Sequence, residues 1–177
     1  MKTLAEIVEN YILRYQKEAE KELKWFKIQK SLEDAICKAA LAQKPSGKRF
    51  DHQRRLQKSA LEKARQILLK NVDKIRRAKN FDELYKIIEE LLLKVKGIGE
   101  LYIYDTALRI GAKLGLEPDK IYLHRGTCEG AKRLGLNIKK KQLEVAEVPK
   151  ELRKLKPREI EDILCIYKDR FKKIKIS

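Results

Sequence analysis

The sequence predicts an all-α protein, a compact multi-helix domain. Three observations predict it. Apolar residues recur at helical spacing along most of the chain. The 4 prolines and 8 glycines are few and cluster at turns. Capping residues stand just ahead of several apolar stripes.

Thr3 and Glu6 have capping-box spacing, and a helix is expected from there to about Gln29. Leu4, Ile7, Val8, Tyr11, Ile12 and Tyr15 form its stripe. Beyond Tyr15 the sequence turns polar, then Trp25, Phe26 and Ile28 return to a core or a partner. Trp25 is a stacking residue if exposed and a core residue if buried. Ser31 with Asp34 caps a helix of small apolar residues, Leu32, Ala35, Ile36, Ala39, Ala40 and Leu41. Residues 43–49, with Pro45, Ser46 and Gly47, make a loop.

Asp51 is expected to cap the next helix, with Leu56, Ala60, Leu61, Ala64, Ile67 and Leu68 on its inner face. Asn71 starts a short helix with Val72 and Ile75. Asn80 caps a longer one carrying Phe81, Leu84, Ile87, Ile88 and Leu91. Gly97-Ile98-Gly99 forms a turn, and Ile103, Ala107, Ile110 and Leu114 mark a second helix that ends at Gly115. After the turn at Glu117-Pro118-Asp119, Ile121-Tyr122-Leu123 is expected to be extended. Thr127 is the expected N-cap of a helix with Cys128, Ala131 and Leu134 inside and Gly135 at its C-terminal end. Residues 137–141 form a basic loop, and Pro149 opens a short helix over 150–155. Pro157 takes the first position of the last helix, whose core face is Ile160, Ile163, Leu164, Ile166, Tyr167 and Phe171. Lys172, Lys173 and Lys175 make a basic tail. With no repeat and no low-complexity segment, residues 1–177 are expected to form a single domain, 1–30 as an N-terminal helical extension and 31–177 as the core.

The chain carries 43 Lys+Arg against 26 Asp+Glu, a net charge of +17 and a pI near 9.8. Such a field attracts polyanions, nucleic acid first and an acidic membrane surface second. A thermophile-like richness in Lys and Glu would explain charges of both signs, but not the positive excess. Cys37, Cys128 and Cys165 are far apart, which argues against a cysteine metal or iron–sulfur site. Their odd number, with no secretory segment, points to a reducing, cytoplasmic setting. No apolar run approaches the ~20 residues of a membrane helix. No cofactor and no metal are expected, and neither a phosphate-binding Walker loop nor a nucleophile elbow is present.

The turn at Gly97–Gly99 is the candidate site. Two glycines leave nothing between the backbone N–H groups and a visitor, and N–H groups at a helix start favour an anion. Lys94, Lys96 and Arg109 flank it. From Lys44 to Lys79 there are 13 Lys/Arg, among them Arg54, Arg55, Arg76 and Arg77, against three acids. His124-Arg125-Gly126-Thr127 precedes another helix. Either His124, Arg125 and Thr127 contact a phosphate or substrate, or this is a capped loop with a hydrogen-bonded His124. His52 is read as a surface residue. Asp105 is the nearest carboxylate able to direct a water in base excision, with Glu100 as the other. Glu100 also complements the helix dipole. Tyr102 and Tyr104 either stack on an extruded base or pack in the core.

The Gly-Ile-Gly turn between two helices resembles the helix-hairpin-helix motif, which grips a DNA phosphate through its backbone. The order of parts over roughly 31–170 also resembles the helix-hairpin-helix DNA glycosylase superfamily. A strand-like segment follows the hairpin, then a helix ending Arg133-Leu134-Gly135-Leu136, then the Val148-Pro149 boundary and a final helix. The resemblance implies an all-α fold and double-stranded DNA as partner. It does not supply the family's catalysis. Glu100 and Leu101 stand where bifunctional members carry a nucleophilic lysine, and the catalytic Asp position falls on or near His124.

Three functions follow as expectations. The first is largely sequence-independent DNA binding. The second is a divergent glycosylase-like repair or defence enzyme using Asp105 and His124. The third is a basic interaction subunit of a nucleic-acid complex, with a protein partner.

Overall fold

The computed structural model describes residues 3–173, and these are mostly helical. In chain order the elements are α1 (Leu4–Tyr11), α2 (Lys17–Lys27), α3 (Leu32–Ala40), α4 (Lys58–Lys70), α5 (Val72–Arg76), α6 (Phe81–Leu92), α7 (Glu100–Leu114), β1 (Ile121–Tyr122), α8 (Arg125–Arg133), β2 (Gln142–Leu143) and α9 (Pro157–Ile166). Lys175 of the basic tail lies outside the described residues. The three cysteines are free. No helix among the described residues is long and apolar enough to cross a membrane.

Where the sequence suggests one domain, the chain forms two compact units. Met1–Ala19 joins Pro118–Ser177, and Glu20–Glu117 forms the other. One boundary is the Glu117-Pro118 turn. The other lies inside α2, where no proline, glycine or change of composition marks it.

In the first unit, Thr3 caps α1 by accepting the Glu6 N–H at 3.2 Å. A π-helical turn, Ile12–Gln16, then continues α1 into α2. Leu4, Ile7, Val8 and Tyr11 are buried with Ile160, Ile163, Leu164 and Tyr167 of the α9 region. β1 and β2 pair antiparallel, with Ile121 opposite Leu143 and Tyr122 opposite Gln142. A Cβ on Gly130 of α8 would lie 2.0 Å from the Leu164 carbonyl oxygen, so no side chain fits where α8 meets α9. Gly135 (φ +71°) ends α8 in a Schellman arrangement, with Leu136 N–H donating to the Ala131 carbonyl at 3.0 Å.

Two sequence expectations in this unit need correction. The N-cap of α8 is His124, not Thr127, because the helix starts at Arg125. The Thr127 hydroxyl lies inside the first turn and donates to the His124 carbonyl at 2.8 Å. Residues 150–155 are turns rather than a helix. Their backbone bonds run to the third residue back, as from Leu152 to Pro149 and from Leu155 to Leu152. Pro157 forces Lys156 into an extended conformation and so stops any helix there.

In the second unit α7 is central, packing on α6 and α3. Ser31 caps α3 and Asn80 caps α6, accepting N–H groups of Asp34 and Glu83 at 3.0 and 2.9 Å. Ile36, Leu61, Leu68, Ile75, Leu84, Ile88, Ile103 and Ile110 are fully or almost fully buried. Phe26 joins them. Trp25 is half-buried with its ring edge-to-face on Phe26 at 4.9 Å, and Ile28 is exposed. Asp51 does not cap α4. It opens a 3-10 turn, Asp51–Gln53, and α4 starts only after Gln57. The Asp51 carboxylate instead accepts from Lys44 Nζ at 2.9 Å, which holds its pKa below the usual range.

Candidate nucleic-acid interface and an adjoining polar cluster

The turn between α6 and α7 is fixed by short-range bonds. Val95 N–H donates to the Leu92 carbonyl at 2.9 Å, and Ile98 N–H to the Val95 carbonyl at 3.0 Å. Val95 is buried and anchors the turn, while Lys94, Lys96, Gly97 and Gly99 are exposed. Gly97 has φ +89°, a left-handed conformation that side chains rarely adopt. Gly99 differs. Its φ of −118° and ψ of 174° suit any residue, and a Cβ there would meet nothing within 4 Å. The fold requires a glycine at 97 but not at 99.

Gly99 is the N-cap of α7, and no side chain caps that helix. A Cβ on Gly97 would lie 3.8 Å from the Ala60 Cβ, so the turn abuts the first turn of α4. Gln57 is the N-cap of α4, again without a side-chain cap bond, and no acid stands in the first turn of α4. The turn thus lies between two helix starts that lack a side-chain cap, that of α4 with no acid in its first turn and that of α7 with Glu100 in its first turn. Arg54, Arg55, Lys58, Lys94 and Lys96 are exposed, and none forms an ion pair among the described residues. Arg76 is exposed but paired with Glu33 at 2.9 Å, and Arg77 is exposed.

Arg109 does not reach the surface. It is 2% exposed. Its Nε donates to Glu22 at 3.0 Å, and one terminal nitrogen donates to Gln53 Oε1 at 2.9 Å. Its guanidinium lies 3.9 Å from the centre of the Phe50 ring. Burial raises the Glu22 pKa, and Arg109 holds the rise in check. Tyr102 and Tyr104 are also core residues, at 3% and 1% exposure. The Tyr102 hydroxyl donates to the Ala40 carbonyl at 2.6 Å, and burial raises its pKa. Neither ring is open to an extruded base.

Asp105 lies one helical turn before Arg109 and is only partly accessible. Its Oδ2 accepts from Gln53 Nε2 at 2.7 Å and meets His52 Nε2 at 2.8 Å. The donors order this cluster. Arg109 can only donate, so Gln53 turns its carbonyl oxygen toward it and its amide nitrogen toward Asp105. The Asp105 carboxylate accepts, so His52 presents Nε2–H to it. The lone pair of His52 then falls on Nδ1, on a side chain that is 50% exposed.

The other histidine is spent. His124 is buried, its Nε2 is 2.5 Å from Glu161, and its Nδ1 accepts the Gly126 N–H at 3.3 Å. His124 thus has no nitrogen left for a substrate, and the histidine beside Asp105 is His52, not His124. The two candidates belong to different units. Arg125 is exposed at the start of α8, whereas Thr127 is buried with its hydroxyl engaged.

Sequence reasoning missed His52, Gln53 and Glu22. No short spacing joins them to Asp105, since His52 and Asp105 are 53 residues apart. The one available signal was Arg109, a charge four residues after Asp105 and so on the same face of α7.

Fold and site together define a mostly helical, strongly basic protein with an open glycine turn and a polar cluster beside α7. Comparison with protein-family models, curated proteins and solved structures finds no match to this chain. Among the described residues no group of three or more His, Cys, Asp or Glu is placed to hold a metal ion.

Proposed function

We propose that the chain binds double-stranded DNA through the unit 20–117, largely without regard to sequence. Amide groups at the starts of α7 and α4 hold a backbone phosphate, and Lys94, Lys96, Arg54, Arg55 and Lys58 add charge around it. The observation that carries this reading is Gly99, a glycine whose backbone and surroundings would accept a side chain. Leaving that position bare keeps the amides reachable. The net charge of +17 supports the same partner. Affinity for duplex DNA of unrelated sequences should fall linearly on a log–log salt plot, with a slope of about −0.9 per phosphate neutralised. Binding that is flat across the titration, or absent at low salt, rules the reading out.

A second reading is favoured by the open Nδ1 of His52. Oriented by Asp105, it can take a proton from a water attacking a held nucleic acid, as in a glycosylase-like hydrolase. Base release from damaged DNA, read by alkaline strand cleavage, should then be detectable with the parent chain. It should drop at least about a hundredfold in His52→Gln. No release from any damaged substrate, or release unchanged in His52→Gln, removes the enzyme reading while leaving DNA binding standing.

A further inference from the structure

The first unit holds a cleft of its own, between the π-helical turn after α1 and the end of α9. It measures about 340 Å³ and is lined by Asn10, Arg14, Tyr15, Ile166, Tyr167 and Arg170. That volume is in the range of small-molecule pockets. No lining residue is acidic. The nearby carboxylates are engaged elsewhere: Asp162 accepts from the Tyr11 hydroxyl at 2.7 Å, Glu159 from Gln16 at 2.9 Å, and Asp169 from Arg133 at 2.8 Å. Arg14 and Arg170 are exposed and form no ion pair among the described residues.

The third donor is set by its neighbour. The Tyr167 hydroxyl donates to Asn10 Oδ1 at 2.7 Å, which leaves both hydrogens of the Asn10 amide nitrogen for the cleft. Two guanidinium forks and an amide make a site of donors, matched to a phosphate. Beside them the Tyr15 ring is 41% exposed and stands edge-to-face with Tyr167 at 6.1 Å, and Ile166 is 44% exposed. These are surfaces for a flat ring. The π-helical turn builds this arrangement. The stripe of α1 is buried up to Tyr11, and Tyr15 leaves the core one turn later.

We propose that this cleft binds a nucleoside phosphate, with Arg14, Arg170 and the Asn10 amide on the phosphate and Tyr15 with Ile166 against the base. The site is separate from the glycine turn and does not depend on the DNA-binding reading. Calorimetric titration of the full chain with AMP, CMP, inorganic phosphate and adenosine tests it. A nucleotide should bind more tightly than either fragment. Arg14→Gln and Arg170→Gln should each weaken AMP and phosphate by about tenfold and spare adenosine. Tyr15→Leu should weaken AMP and adenosine and spare phosphate. All three positions are exposed, and unchanged melting curves would confirm that the variants fold. The proposal is overturned if neither nucleotide binds more tightly than phosphate alone, or if the double arginine variant binds AMP as the parent does. The source of the nucleotide is read in a Gly99→Asp background, which disables the glycine turn. A single-stranded tetranucleotide binding more tightly than AMP assigns the cleft to a strand, and equal or weaker binding assigns it to the free nucleotide.

Discussion

Replacing Arg109 with alanine is expected to lower folding stability by about 3–5 kcal/mol, the range for breaking a buried charge pair by removing one partner. Arg109 is 2% exposed, and its loss acts at several places at once, the 3.9 Å ion pair with Asp105 among them. Gln53 Oε1, buried in the same cluster, loses the donor at 2.9 Å. Glu22 loses its donor at 3.0 Å. Phe50 loses the guanidinium 3.9 Å from its ring centre, together with the packing of the side chain itself. Glu22 keeps some access to water, which places the expected cost toward the lower end. Urea unfolding measures it, and a loss below about 1 kcal/mol would show that the cluster does not hold the 43–57 loop to α7. Arg109→Lys should recover little, because an ammonium cannot serve Glu22 and Gln53 in the fork geometry of a guanidinium.

The same substitution has a pH signature. The Glu22 pKa already stands above its ordinary value through burial, with Arg109 opposing the rise. Without Arg109 it should move further up. A carboxyl whose folded pKa exceeds its unfolded one binds its proton more readily when folded. Stability is therefore highest below the unfolded value and falls as pH rises toward the raised folded value. Arg109→Ala should show this loss over a wider pH window than the parent, and adding Glu22→Gln should abolish it.

The second large effect is expected at Gly99, where stability and binding should move in opposite directions. Gly99→Asp puts a capping carboxylate on α7, in the same extended conformation as Thr3, Ser31 and Asn80, the caps of α1, α3 and α6. Its Cβ enters open space. The helix should gain about 0.3–1 kcal/mol from the cap and the dipole. Duplex DNA affinity should fall at least about tenfold, because the carboxylate occupies the amides and repels the phosphate. A melting temperature that rises while DNA affinity holds would place the DNA contact elsewhere on the basic surface. Gly97→Ala is a poorer probe, since φ +89° makes the substitution itself cost about 1–2 kcal/mol.

The parts of this fold legible in the sequence were those written in local chemistry. Thr3, Ser31 and Asn80 cap the helices expected of them, Gly115 and Gly135 adopt positive φ at helix ends, and Pro157 opens α9. Errors arose where tertiary contacts overrule a local preference. Asp51 has a cap's chemistry but is held by Lys44, and Thr127 was outbid by His124. The glycine turn was legible because its two glycines stand only two residues apart in sequence. The His52–Gln53–Asp105–Arg109–Glu22 cluster was not, since α2, the loop before α4 and α7 meet only in the fold. Charge pattern alone marked Arg109 as surface. Burial reverses that assignment, because its partners neutralise it where no water can.

The division of the chain also sets an order of assembly. Residues 20–117 are contiguous, so this unit can close as soon as α7 has left the ribosome. The first unit cannot. Leu4, Ile7, Val8 and Tyr11 are made long before the residues that cover them, Ile160, Ile163, Leu164 and Tyr167. Until α9 emerges, the nascent chain carries the apolar face of α1 uncovered. That helix is where a chaperone would find its handle, and where a stalled or truncated chain would begin to aggregate.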